Sequence, residues 1–259
     1  MTAELQDIAP GVVRVSWSED LQAQGLGPCA NEVRNVVERA FKGGATRVET
    51  HVDPDDQTAQ RVATFAGLMR EGVARGVEGQ EDRIVYARLV DDVPLEDPQG
   101  FRSLLNSFLP RKRAISQMLI RSTDDRVLLC QLTYKRDHDL PGGVVEVGES
   151  PQLAVAREVE EELAITVEPG RLLLTDWLPP WSGWDDAICL VFDGGVHEPD
   201  MVGGIVREER EIRSAGFYTL DEARELCAEF TARRIEAALR NLSDRPGPPY
   251  TESGRELSD

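Results

Sequence analysis

The sequence predicts an α/β protein made of two units in tandem, and three observations support this. Strand and helix patterns alternate in the order β-α-β-α-β through residues 1–92. From residue 113 to 240 a second set of strands surrounds a helix at 151–163. Residues 93–112, between the two, read as a linker with a short apolar helix. A chain of 259 residues is long enough to bury a core in each unit.

In the first unit, strands are predicted where β-branched and apolar residues dominate, at 12–17, 45–52 and 83–90. A helix is predicted over 29–41, because Val33, Val36, Val37 and Ala40 recur at helical spacing. A second helix is predicted over 58–71.

In the second unit, strands are predicted at 115–121, 127–133, 171–177, 186–193 and 215–219. A final helix is predicted over 220–239. Residues 241–259 contain three prolines and two glycines, and we expect them to form a mobile tail.

The charge balance restricts the partners of the chain. Asp and Glu number 47 against 29 Lys and Arg, a formal net charge of −18. The electrostatic field of a chain with this negative charge repels nucleic acid and anionic membranes, so we expect neither as a partner. The four cysteines form no close pair and only three histidines are present, which disfavours a zinc site. The N-terminus has no signal-peptide pattern, and we expect a reduced, cytoplasmic protein.

The segment 143–165 places carboxylates together on one side of a helix. Ser150 followed by Pro151 is a strong helix start. At about 100° per residue, Glu158, Glu161 and Glu162 share one arc, and Leu153, Ala156, Val159 and Leu163 lie opposite. Like charges at this spacing repel, so either a hard divalent cation offsets the repulsion or the face is simply solvated.

The whole segment resembles the signature of the Nudix hydrolase family, G-x5-E-x7-R-E-U-x-E-E-x-G-U, where U is aliphatic. The matching residues are Gly143, Glu149, Arg157, Glu158, Val159, Glu161, Glu162 and Ile165, preceded by the typical lead-in Leu140-Pro141-Gly142. Ala164 departs from the pattern, which usually has glycine at this helix end. The resemblance covers about residues 114–239 and implies a Nudix α/β/α sandwich.

The resemblance also implies a role for each residue. Glu158, Glu161 and Glu162, with the carbonyl of Gly143, would bind Mg²⁺ or Mn²⁺, and Arg157 would pair with Glu149. A glutamate of the segment 143–165 would act as general base, or else a glutamate on a later loop, for which Glu209 and Glu211 are the candidates.

Two segments bear on the substrate. The basic turn Tyr134-Lys135-Arg136 either contacts phosphate or is merely exposed. The segment 177–184 holds three of the four tryptophans, which either stack on a base or sugar, or cap the core or form a homodimer contact.

The first unit resembles the C-terminal half of a GNAT-type acetyltransferase. Gln22, Gly25 and Gly27 match that family's pyrophosphate-binding loop between a strand and a helix, and the segments 47–56, 61–72 and 82–88 are similar to it as well. Only about 20 residues precede the motif, so the family's first half has no room. We expect a truncated unit used for packing, dimerisation or ligand capture, with acyl-CoA as the candidate ligand.

The leading hypothesis is a divalent-metal-dependent Nudix hydrolase. It would cleave the pyrophosphate bond of a nucleoside diphosphate linked to another moiety, as in a nucleotide sugar, a dinucleotide or a nucleoside triphosphate. The alternatives are a non-catalytic nucleotide-sensing module on a Nudix fold and a residual acyl-CoA-binding protein.

Overall fold

The structure is a computed structural model that describes residues 3–79 and 81–256. The chain divides into two compact units, Met1–Pro110 and Arg111–Asp259. Each unit has a sheet of its own. Within the described residues, no helix is long and apolar enough to cross a membrane.

The first unit contains a five-stranded sheet in the order β1-β2-β3-β5-β4. Its strands are β1 (Ala3–Ala9), β2 (Val12–Trp17), β3 (Arg47–Val52), β4 (Met69–Glu78) and β5 (Glu81–Leu89). Its helices are α1 (Glu19–Gln22), α2 (Leu26–Lys42), α3 (Gln57–Phe65) and α4 (Pro98–Phe108). The predicted strands and the first helix are present, whereas β1, which pairs antiparallel with β2, was not predicted.

The predicted helix over 58–71 is wrong in its second half. Helix α3 ends at Phe65, and the chain re-enters the sheet as β4 at Met69. Gly67 lies between them at a φ of +92°, a backbone conformation that favours glycine and ends the helix.

The core of the first unit forms where α2 and α3 pack on the sheet. Val33, Val36 and Val37 of α2 are fully buried against strand residues such as Val15 and Val48. The segment 93–112 contains the short helix predicted for it, α4. Ser107 of this helix accepts a hydrogen bond from the backbone N–H of Arg70 in β4 (3.1 Å).

The second unit is built on an eight-stranded sheet. Its main path runs β12-β7-β6-β11-β10-β13, while β8 pairs with β7 and β9 pairs with β6. The strands are β6 (Arg113–Ser122), β7 (Val127–Leu132), β8 (His138–Asp139), β9 (Gly142–Val144), β10 (Leu172–Leu178), β11 (Ala187–His197), β12 (Ile212–Tyr218) and β13 (Tyr250–Glu252). Its helices are α5 (Pro151–Leu163), α6 (Leu220–Leu226) and α7 (Glu229–Arg240).

Helices cover both faces of this sheet, as the central strand β6 shows. Met118 and Ile120 pack into the cluster that includes Val159 of α5. Leu119, on the opposite face, packs into the cluster that includes Ile235 of α7. Because successive strand residues point to opposite faces, this alternation gives the α/β/α sandwich that the resemblance implied.

Two expectations for the C-terminal region differ from the structure. The predicted helix over 220–239 is interrupted at Cys227 and Ala228 and forms two helices. Residues 241–259, expected to be a mobile tail, contribute β13, which pairs parallel with β10 and buries Thr251 completely. A buried side chain and the ladder to β10 hold this strand in place.

Candidate functional site

Helix α5 carries the carboxylates of the site. It begins at Pro151 after Ser150, whose carbonyl accepts from the N–H of Ala154 (2.9 Å). Val155, Val159 and Leu163 are buried and fix the helix on the sheet, whereas Leu153, expected on the buried side, is 67% exposed. The helix ends at Ala164 with φ 53° and ψ 34°, so the left-handed turn forms with alanine in the usual glycine position.

Glu158 lies directly against the backbone of Gly143. A Cβ atom built on Gly143 would lie 2.5 Å from the carboxyl carbon of Glu158, so only glycine leaves room for this side chain. Gly143 is positioned by β9, where it pairs with Ser116 of β6. Burial, together with the charges of Glu161 and Glu211, raises the pKa of Glu158 above its usual range despite the nearby Arg157.

Glu162 is the most deeply buried of the three glutamates. It is 5% exposed and accepts a hydrogen bond from the backbone N–H of Gly142 (3.1 Å). Burial raises the pKa of its carboxyl group to about 8, and the charges of Glu158, Glu211 and Asp139 act in the same direction. Glu162 is therefore not part of an ordinary solvated surface.

Arg157 connects the helix to the preceding loop. Its guanidinium donates to both carboxylate oxygens of Glu149, from Nε (2.9 Å) and from Nη2 (3.0 Å). Nη1 lies 3.0 Å from Glu158 Oε1 and 2.9 Å from Glu161 Oε2. A two-pronged arginine–carboxylate pair fixes orientation as well as distance, so Arg157 holds the loop in place beside Glu158.

Glu161 differs from the other two glutamates because its side chain is 61% exposed and turned toward Arg157. Consistent with this, no group of three His, Cys, Asp or Glu side chains within residues 3–79 and 81–256 has the geometry to hold a metal ion as it stands. The structure thus brings Glu158 and Glu162 to β9, the glycine strand that contains Gly142 and Gly143, and leaves the side chain of Glu161 exposed to solvent.

The later loop supplies further carboxylates. Glu211, just before β12, is exposed, and its charge contributes to the raised pKa of both Glu158 and Glu162. The backbone N–H of Glu208 donates to the carbonyl of Glu162 (2.9 Å), which ties this loop to the end of α5. Glu209 is exposed on the same loop.

A cavity of about 360 Å³ opens beside the glycine strand, with Gly142 and Gly143 in its wall. Its aromatic walls are Tyr134, Trp181, Trp184 and Phe230. Trp181 packs edge to face with Phe230 (6.1 Å between ring centroids), and the Arg113 guanidinium lies 4.6 Å from the Trp184 ring centroid. Trp177 instead lies in β10 and donates to Asp186 (3.2 Å). The two exposed tryptophans of the loop therefore face a space large enough for a base and sugar.

The floor of the cavity contains a polar network that the sequence did not reveal. Gln117 donates from Nε2 to Asp139 Oδ1 (2.8 Å) and accepts from Arg234 Nη1 (2.9 Å). Arg234 also donates from Nε to Asp176 Oδ2 (2.8 Å), and Lys135 donates to Asp139 Oδ2 (2.7 Å). One signal was available: Arg234 is the one charged residue among the buried residues of α7.

In the first unit, Gln22 ends α1, and Gly25 and Gly27 lie where α2 begins. Gly25 precedes the helix at a φ of +101°. The side chain of Gln22 accepts from the indole of Trp17 (3.1 Å) and donates toward Asp56 (3.4 Å). Gln22 therefore makes contacts within its own unit.

Comparison with known proteins concerns the second unit. Residues 110–239 match the family model described as NUDIX domain. A MutT-like protein of Streptomyces ambofaciens is 33% identical over 135 residues, covering 52% of this chain and 79% of that protein. The NAD-capped RNA hydrolase NudC of Escherichia coli (strain K12 / DH10B) is 37% identical over 101 residues, 38% of this chain and 36% of NudC, so the chain spans about a third of NudC. The crystal structure of a MutT protein from Methanosarcina mazei Go1 is 26% identical with a TM-score of 0.45, covering 53% of this chain and 100% of that one.

Proposed function

Because this chain belongs to the Nudix family and is a Nudix pyrophosphohydrolase, we propose that it acts on a nucleoside diphosphate linked to another moiety, with a divalent cation. The substrate class comprises nucleotide sugars, dinucleotides and nucleoside triphosphates. The observation that carries the proposal is the buried carboxylate of Glu162, which lies with Glu158 against Gly142 and Gly143. These two glycines also line a nucleoside-sized cavity.

The donor set fits a hard divalent cation. Burial and mutual repulsion raise the pKa values of Glu158 and Glu162, so two negative charges at this place are unfavourable without a counter-charge. Carboxylate and carbonyl oxygens are the ligands that Mg²⁺ and Mn²⁺ prefer. Gly143, through its carbonyl, and Glu158, Glu161 and Glu162 would hold the ion. When bound, it neutralises the diphosphate and lowers the pKa of a water molecule.

The side chains of the chain itself supply orientation and a proton acceptor. Arg157 keeps Glu149 and the loop after the glycine strand in one position and holds the carboxylate of Glu161 close to Glu158. Glu211 is the preferred general base, because its carboxylate lies close enough to influence Glu158 and Glu162 while remaining exposed. Glu209, on the same loop, is the alternative.

The cavity indicates how a nucleoside is held. Trp181 and Trp184 are 65% and 58% exposed and line the cavity, so their rings are available to stack on a base. One relative is an NAD-capped RNA hydrolase, and this is compatible with a dinucleotide as the substrate of the present chain. The net charge of −18 opposes binding of an RNA body, which favours a small nucleotide.

The test is hydrolysis of a nucleotide panel by the full chain with Mg²⁺ or Mn²⁺, measured as release of phosphate, pyrophosphate or nucleoside monophosphate. Glu161→Gln and Glu162→Gln are expected to lower kcat on the order of 100-fold or more. Glu160→Gln, an exposed neighbour on the same helix, is the matched control and should behave like the parent. Absence of metal-dependent turnover on every panel member, or full activity of both variants, would refute the proposal.

A non-catalytic nucleotide sensor would bind the same panel of nucleotides without turnover, and the hydrolysis assay distinguishes it from an enzyme.

Acyl-CoA binding by the first unit is a separate proposal, supported by the start of α2: Gly25 has no side chain, and the first turn, Leu26-Gly27-Pro28-Cys29, is uncharged. Titration calorimetry with acetyl-CoA tests it, and light scattering tests whether the chain forms a homodimer.

A further inference from the structure

The floor of the cavity contains a buried guanidinium group with a spare donor. Arg234 lines the cavity and is 2% exposed. Two of its nitrogens are used, Nε by Asp176 (2.8 Å) and Nη1 by Gln117 (2.9 Å). Nη2 is buried and has no hydrogen-bond partner among residues 3–79 and 81–256. Because a buried donor without an acceptor costs free energy, a ligand acceptor at this place would remove a penalty.

The acceptors around Arg234 are already engaged. Gln117 Oε1 receives Nη1 of Arg234 and also the thiol of Cys189 (3.3 Å). Asp139 Oδ1 receives Gln117 Nε2 (2.8 Å) and the N–H of Leu140 (3.0 Å), and its Oδ2 receives Lys135 (2.7 Å). What the floor offers a ligand is therefore mainly donors, from Arg234 Nη2 and from the ammonium group of Lys135, which has three N–H bonds.

The aromatic walls and the polar floor of the cavity have different consequences for its selectivity among nucleobases. The rings of Trp181, Trp184 and Phe230 provide stacking surfaces, and every nucleobase has a π-face to place against them. Stacking therefore holds a base without identifying it. A buried protein group that donates hydrogen bonds does distinguish one base from another. If the edge of the base that faces this group also carries a donor, neither the donor of the base nor that of the protein finds an acceptor.

We propose that Arg234 is a specificity-determining residue that selects bases with a carbonyl oxygen at the edge facing the cavity floor. This inference rests on the proposed hydrolase function and goes on to name its preferred substrates. Nucleotides of hypoxanthine, guanine and uracil present such a carbonyl. Nucleotides of adenine and cytosine carry an amino donor at the corresponding position and are disfavoured.

Matched pairs of nucleotides test the proposal on the unmodified protein. ITP and ATP differ at position 6 of the purine, and UTP and CTP differ at position 4 of the pyrimidine. With Mg²⁺, the full chain is expected to show kcat/KM at least about 10-fold higher for the nucleotide with the carbonyl, ITP or UTP, than for its amino partner. If the chain hydrolyses one of the two pairs with a higher kcat/KM than the other, the ratio within that pair is the test. A ratio below about twofold, or a preference for the amino member, would overturn it.

Binding separates this inference from the hydrolase function. Quenching of tryptophan fluorescence by IMP against AMP, and by UMP against CMP, reports on the cavity without requiring turnover. If the protein binds IMP or UMP more tightly than its amino partner but hydrolyses no nucleotide, the base-selecting role of Arg234 is supported and the proposed hydrolase function is refuted. If it hydrolyses nucleotides without preferring those with the carbonyl, the hydrolase function is supported and the role of Arg234 is refuted.

Arg234→Lys removes Nη2 and keeps the positive charge beside Asp176. It is expected to reduce the keto-to-amino ratio to about 1, with the larger loss on the keto substrate. Arg240→Lys, on the same helix and ion-paired with Glu256, is the matched control and should keep the parent ratio. If Arg234→Lys lowers kcat/KM for both members equally, the residue only supports the fold and the proposal is wrong. If the variant does not fold, the ratios of the unmodified protein still decide.

Discussion

At the scale of single residues, the carboxyl group of Glu162 shows how burial shapes the site. It is 5% exposed, receives a single backbone N–H from Gly142, and has neighbours that are mostly negative. Its pKa of about 8 means that the metal-free protein holds a proton there at neutral pH. A cation that takes this carboxylate as a ligand must displace that proton.

The affinity for Mg²⁺ should therefore depend on pH. Since the pKa of Glu162 lies above its usual value, competition by the proton weakens as pH rises, and affinity increases until about pH 8 and then levels off. Titration calorimetry between about pH 6 and about pH 9 measures this dependence. Glu162→Gln should weaken binding and flatten the profile, whereas Glu160→Gln should keep it. A parent affinity that does not change with pH contradicts this account.

Gly143 offers a second residue-scale prediction. A methyl group at this position would lie 2.5 Å from the carboxyl carbon of Glu158, so Gly143→Ala must displace the carboxylate from the glycine strand. We expect kcat/KM to fall on the order of 100-fold, because displacing a catalytic group by about 1 Å has an effect of this size.

The matched control for Gly143→Ala is Gly203→Ala, since an added Cβ at Gly203 meets no atom of the described residues within 4 Å. Steady-state kinetics and a thermal melt of both variants are the measurements. Equal activity of Gly143→Ala and the parent would show that the close approach of Glu158 has no role in turnover.

Prediction from sequence at this scale succeeds where residues are close along the chain. Glu158, Glu161 and Glu162 are separated by helical spacing, so their common face follows from the helix alone. Gln117, Asp139, Asp176 and Arg234 come from four different elements, and their contact depends on the strand order β7-β6-β11-β10. No local pattern encodes that order.

At the scale of elements, the end of α5 rests on an unfavourable backbone conformation. Ala164 adopts the left-handed region, which costs an L-residue with a Cβ about 1–2 kcal/mol. The carbonyls of Glu162 and Leu163 nevertheless receive the N–H groups of Glu208 and Val206 (2.9 and 3.0 Å), so the neighbouring loop helps to impose the turn. The departure from the family pattern thus leaves the helix end intact.

Ala164→Gly should stabilise the second unit by about 1 kcal/mol, because glycine accepts this conformation without the steric cost. Thermal melting should show a rise of a few degrees, with kcat and KM unchanged because the side chain is exposed and has no proposed role in binding or turnover. Ala156→Gly, inside α5, is the opposite control and should destabilise, because glycine in a helix interior is less favourable than alanine. A lower melting temperature for Ala164→Gly would refute the argument.

Element boundaries are less predictable than element types. The sequence predicts one helix across α3 and the start of β4, because apolar residues continue at helical spacing past Phe65. The left-handed glycine at 67 decides the outcome. The strand β13 escapes prediction because its single buried residue, Thr251, gains its role only through contact with Asp176 (2.7 Å), 75 positions away in sequence.

At the scale of the whole molecule, each unit has a hydrophobic core of its own. Helices α2 and α3 close the first core, while α5 and α7 close two clusters on opposite faces of the second sheet. The carboxylates and the cavity both belong to the second unit.

Calorimetry of the full chain should show two unfolding transitions, because each unit can lose its own core cooperatively. Mg²⁺ with a non-hydrolysed nucleotide should raise only the transition of the second unit, since a ligand stabilises the state that binds it. Ala164→Gly identifies that transition independently. One transition that shifts as a whole with ligand would show that the two units unfold together.

The segment that carries β13 also sets the order in which the second unit can be completed during synthesis. Asp176 is fully buried and accepts hydrogen bonds from Thr251 (2.7 Å) and from the N–H of Gly254 (2.8 Å), as well as from Arg234. Thr251 and Gly254 are translated 75 and 78 residues after the aspartate itself. Until they leave the ribosome, the buried side chain of Asp176, which holds the cavity-lining Arg234, lacks two of its three hydrogen-bond donors. The nascent enzyme therefore has its carboxylate helix well before it has a finished binding cavity.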